Sequence, residues 1–112
     1  MPTSQPRVQL ISLADTGGGT SVKTGEFEPH PSAVGVTLFS SFDGDGTLAV
    51  LRVNTDDLTT TLIEEVAITG GTPAVTTYTY NTGPLRVTYT PDTADQTGYV
   101  EAQYYGYAGS GA

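Results

Sequence analysis

The acids that lie closest together with room to do chemistry sit in Ser41 to Asn54, SFDGDGTLAVLRVN. Asp43 and Asp45, with a glycine after each, suit a calcium loop, a catalytic acid pair or a turn. Calcium takes about six to eight oxygen ligands, and the helix-flanked calcium loop supplies them at fixed offsets with glycine sixth and glutamate twelfth. Counting Asp43 as first puts Leu48 sixth and Asn54 twelfth, so that motif fails. A β-sandwich loop can still gather calcium by adding Asp56 and Asp57 or an acid from another loop. The turn is the preferred reading, because Asp-Gly tolerates the positive φ of tight hairpin turns. The carboxylates are then solvated, and no metal or cofactor is expected.

Other groups carry less. The sole histidine, His30, lies between Pro29 and Pro31, and the sequence supplies no identifiable nucleophile and orienting acid to make it a base. Glu64-Glu65 and Asp56-Asp57 imitate a glycosidase pair. Adjacent residues on a strand point to opposite faces, so solvated surface carboxylates are the better account. The glycine run Thr16-Gly17-Gly18-Gly19-Thr20 lacks the lysine of a phosphate loop. No catalytic residue is assigned, and an enzyme is not expected.

Charge and composition narrow the partners. The 112 residues fit one domain with a single core, and their net charge of -8 repels phosphate backbones. Nucleic acid and membrane are therefore not expected partners. Cysteine is absent, so no disulfide staples the fold. No run approaches the roughly eighteen apolar residues of a membrane span, and MPTSQPRVQLISL lacks the pattern of a signal peptide. A soluble chain made in the cytoplasm is expected.

The elements that must position these residues read as strands. Threonine, valine and tyrosine are common, a β composition. Residues 1–7, MPTSQPR, contain Pro2 and Pro6 and form an extended arm ending at Arg7. Strands are expected over 8–13, 22–28, 34–42, 47–53, 58–68, 74–81, 85–90 and 98–107, with a flexible tail over 108–112. In the third, Val34, Val36, Leu38 and Phe42 share one face, and Phe39 is the large exception on the other. The fourth is apolar on both faces, so a strand covered twice is expected. The fifth, LTTTLIEEVAI, has helical spacing at Leu62, Ile63 and Val66, but its threonines and the following Thr69-Gly70-Gly71 favour a strand that pairs onward to 74–81. About eight strands with turns between them predict an all-β, two-sheet antiparallel β-sandwich over 8–107, of jelly-roll or immunoglobulin-like kind.

All seven tyrosines follow residue 77. Alternation in the last strand sends Val100, Ala102 and Tyr104 one way and Tyr99, Glu101, Gln103, Tyr105 and Tyr107 the other. With the first set in the core, the second displays three tyrosines outward. They serve an interface with Gln103, Pro2, Pro6 and Arg7, or they pack under the arm or the second sheet.

The runs VTLFSSFDGDGTLAVLRVN and GPLRVTYTPDTADQTGYVEAQYYGY, with the opening ISLADTGGGTSVKTGEF, resemble the small β-sandwich virion proteins of tailed bacteriophages. That family carries a strand–turn–strand unit of FdG type and a late LRV hairpin; a tryptophan common in its members is missing here. The resemblance implies a non-enzymatic structural protein of the virion, of capsid decoration, cement or head-fibre type. It would bind the major capsid protein or other virion proteins and form a homo-oligomer, with a trimer favoured. The alternative is a receptor- or glycan-binding module of a fibre, neck or tail.

Overall fold

The computed structural model describes residues 7–13, 20–56 and 58–106. They form eight strands: β1 (Val8–Leu13), β2 (Lys23–Phe27), β3 (Gly35–Phe42), β4 (Gly46–Val53), β5 (Thr60–Ile68), β6 (Ala74–Tyr78), β7 (Leu85–Pro91) and β8 (Gly98–Tyr105). Two antiparallel sheets result, sheet A in the order β1-β8-β3-β6 and sheet B in the order β2-β7-β4-β5. This is the expected all-β sandwich. Strand one pairs with eight, two with seven, three with six and four with five, as in a jelly roll rather than an immunoglobulin domain. The arm residues Pro2 and Pro6, the glycine run 16–19, and Tyr107 with the tail lie outside the described residues.

Alternation decides what the sandwich encloses. Val36, Leu38 and Phe42 of β3, Leu48 and Val50 of β4, Leu85, Val87 and Tyr89 of β7, and Val100 and Ala102 of β8 are almost wholly buried in one cluster. Each fully buried aliphatic side chain contributes about 1.5–3 kcal/mol. β4 lies inside its sheet but is covered on one face only: Thr47 on the other face is exposed and Ala49, Leu51 and Val53 are half-buried. Its outer apolar residues made the segment look doubly covered. Val34, expected in the core, is 52% exposed. It precedes β3, and its N–H extends the sheet only as far as the Tyr105 carbonyl.

The topology corrects two pairings. β3 and β4 lie in different sheets, so Asp43-Gly44-Asp45 is an arch between layers and not a hairpin turn. β5 pairs with β4, not with β6, which belongs to sheet A. Strand period fixes which side chains face inward, but it does not say which neighbour completes the ladder.

A polar pin ties this arch to the core. The rings of Phe42 and Tyr89 stack across the two sheets at 3.7 Å. The Tyr89 hydroxyl donates to Gln96 Oε1 at 2.6 Å, and Gln96 Nε2 donates to the Asp45 carbonyl at 2.7 Å. Gly46 is required beneath this pair, since a Cβ there would come within 2.4 Å of the Tyr89 hydroxyl. Burial pushes the Tyr89 phenol up to about 12. Gln96→Leu removes both bonds and leaves the buried hydroxyl only the Gly44 carbonyl at 3.3 Å; a loss of about 1–3 kcal/mol is expected in chemical denaturation. An unchanged midpoint would show that the pin adds nothing.

Candidate interaction face

The outer wall of sheet A is built in cross-strand rows. Gln9, Glu101, Phe39 and Val75 stand side by side across β1, β8, β3 and β6. Beside them run Gln103, Thr37 and Thr77 in one row and Ser12, Tyr99 and Ser41 in another. Arg7 joins the first row. Its guanidinium lies 3.6 Å over the Phe39 ring and pairs with Glu101 at 3.5 Å. A cation over an exposed ring contributes about 0.5–1 kcal/mol and a partly exposed ion pair about 0–1, so this cluster orders the wall more than it stabilises the fold. Phe39, which broke the alternation of its strand, therefore has its place here.

The structure thus brings Arg7, Tyr99 and Gln103 onto one face, with Tyr105 at its end. Tyr105 is not presented: its ring lies against Gly35 and its hydroxyl donates to the Tyr78 carbonyl at 2.9 Å. Val75 carries no signal of its own in the sequence. It enters the wall only because β6 pairs with β3.

Asp43, Asp45 and Glu64, groups suited to acid–base chemistry, hold the fold instead. Asp43 Oδ1 accepts the Thr97 N–H at 2.8 Å and its Oδ2 accepts the Thr97 hydroxyl at 2.9 Å. Asp45 Oδ1 accepts the Gly70 N–H at 2.8 Å. These carboxylates, expected to be merely solvated, cap backbone donors of two neighbouring arches. Glu64 likewise turns inward, opposite Val50, and accepts the Tyr78 hydroxyl at 2.6 Å, tying β5 to β6 across the layers. Burial, then this carboxylate, raises the Tyr78 phenol. At the opposite end Asn81 Nδ2 donates to the His30 and Ala33 carbonyls at 3.0 Å, and His30 Nδ1 accepts the Ser32 N–H at 3.0 Å.

Among the described residues no group of three His, Cys, Asp or Glu is placed to hold a metal ion. A shallow pocket of about 240 Å³ is lined by Glu26, Phe27, Glu28, Val53, Pro84 and Leu85. Glu26 there is held by Arg86 at 2.7 Å.

No protein-family model and no curated protein matches the chain. Solved structures do. PBSX exported protein XepA superposes with a TM-score of 0.72 at 15% identity, over 93% of this chain and 39% of that one. This chain therefore spans well under half the length of that phage protein. The Yersinia pseudotuberculosis-derived mitogen superposes with a TM-score of 0.51 at 15% identity, over 95% of this chain and 89% of that one. At such identities the likeness is one of fold.

Hydrogen bonds from Thr97 N–H and then the Thr97 hydroxyl hold the Asp43 carboxyl below its ordinary 3.8. Its stabilisation is complete above the unfolded value and is lost as pH falls through the lower, folded one. Asp43→Asn keeps one acceptor and cannot titrate. The difference in melting temperature between wild type and this variant should therefore shrink as pH falls below about 4. A difference that stays constant across that range would remove Asp43 from the acid response.

Proposed function

We propose that the chain is a non-enzymatic structural protein of a phage particle, acting as a head decoration or cement protein. Its partner is the major capsid protein or a neighbouring virion protein, met by the outer wall of sheet A. The observation that carries this reading is the Arg7–Phe39–Glu101 cluster with Tyr99 and Val75 beside it. A flat, half-apolar wall with a planar guanidinium and polar neighbours has the composition of a protein–protein interface core and rim. Asp43, Asp45, Glu64, Tyr78 and Tyr89 are meanwhile engaged within the fold. The fold shared with a PBSX exported protein is in keeping with a phage source.

Residues 1–6 precede Arg7 in the sequence, and Pro2 and Pro6 belong to the arm proposed to add contacts to the same partner. Repetition over a symmetric lattice multiplies modest contacts by avidity.

Mass-spectrometric composition of gradient-purified particles of the encoding phage tests the proposal. The chain should be present in proportion to the repeated head subunit. Phe39→Asp should strip it from particles while leaving its melting temperature within a few degrees. Abundance in the lysate with absence from particles would reject the proposal. Saturable glycan binding with a change in tyrosine fluorescence would then favour the fibre-module alternative.

A further inference from the structure

Each sheet of the sandwich ends in two edge strands, and an unguarded edge is a template for pairing with another chain. Three of the four edges are guarded. β1 has a register shift between Gln9 and Ile11 and follows the charged Arg7. β2 carries Lys23 and Glu26, and its Gly25 is packed so closely on β1 that a Cβ would come within 2.4 Å of the Leu10 carbonyl oxygen. β5 has a register shift opposite Val50 and Leu51 and carries Glu64 and Glu65.

β6 has none of these devices. Its five residues, Ala-Val-Thr-Thr-Tyr, hold no charge, no proline and no bulge against β3. Val75 is 64% exposed. The Tyr78 carbonyl points towards β3, where it meets Gly35 and accepts the Tyr105 hydroxyl. By the alternation of an antiparallel ladder Thr76 and Ala74 point the same way, and Val75 and Thr77 turn their N–H and C=O groups to the open side. Among the described residues no strand pairs with that side.

We infer that β6 is the strand by which two copies of this chain join, edge to edge and antiparallel, about a two-fold axis at Thr76. Charge selects a second copy as the occupant. At a net charge of -8 two copies repel over most of their surfaces, yet residues 66–85 contain no Asp, Glu, Lys, Arg or His. The strip can meet itself without a like-charge penalty. Register follows from length. With Thr76 on the axis, all five residues find a partner: Val75 exchanges both backbone bonds with Thr77 of the second copy, and Ala74 stands opposite its Tyr78. Sliding the strands in one direction brings Pro73, which has no N–H, towards the ladder. The joined sheet carries four strands from each copy, and the walls with Phe39 become one continuous surface. This pairing does not depend on what that wall binds.

The full chain, measured by light scattering and sedimentation equilibrium at micromolar concentration, should have twice the monomer mass. Val75→Lys should halve that mass while keeping the far-ultraviolet spectrum and cooperative melt of the wild type. Leu62→Lys, an equal change on the guarded β5, should leave it doubled. Because the chain has no cysteine, Thr76→Cys provides a second readout: mild oxidation should yield a covalent dimer, since axis-related residues in a non-hydrogen-bonded pair approach within disulfide range. A monomer or a trimer in solution overturns the inference. So does a doubled mass that survives Val75→Lys in a folded protein. Should Val75→Lys fail to fold, absence of the Thr76→Cys cross-link overturns it instead.

Discussion

The chain crosses between layers at every connection except the hairpin from β4 to β5, and the rest of the structure answers to that constraint. A hairpin satisfies its own backbone by carrying the ladder to its tip. An arch cannot, because its flanking strands pair with different neighbours. Its N–H and C=O groups must find side chains, other loops or water. At one end Asp43, Asp45 and Gln96 fill that need, joining the arch after β3 to those after β5 and β7. At the other end Asn81 does, reaching the carbonyls of the connection between β2 and β3. Short acids and amides recur at these positions because they can turn back on a nearby backbone.

The pins are continuous with the core. Tyr89 presents its ring to Phe42 and its hydroxyl to Gln96, so one side chain joins the apolar interior to the polar end. Tyr78 repeats the device at the side of the sandwich, with its ring inside and its hydroxyl on Glu64 of the facing sheet. Tyrosine suits both places, because it buries a large ring while keeping a donor that must be satisfied. Several tyrosines that composition alone would give to an interface are therefore part of the framework.

Period-two alternation made β3, β7 and β8 legible, since one buried face leaves a pattern that survives without knowledge of partners. The sandwich followed from their number and spacing. What the sequence did not reveal was long-range. Asp-Gly records a bend and is silent about whether the returning strand joins the same sheet. Glu64 looked solvated because its acceptor role depends on Tyr78, fourteen residues away in the chain and in the opposite layer. Phe39 was visible as an exception to its strand, but Arg7 lies far off in sequence, and only the pairing of β3 with β8 sets the two together. Signals of local geometry were readable, whereas those that need a tertiary partner were not.

The two walls of the sandwich differ for a reason that begins with residue type. The outer face of sheet B carries Thr47, Thr90, Thr24 and Thr88 in cross-strand rows, together with the Arg86–Glu26 pair, whose row continues through Leu51 to the exposed Leu62. Threonine has the branched Cβ that a pleated strand favours and a hydroxyl that water can satisfy, so these rows gain β propensity while staying hydrated. Sheet A sets the half-buried Phe39 and Tyr99 beside the exposed Val75, where the side chains are larger. The asymmetry costs the core nothing, because in every strand the inward residues are separate from those that make the difference.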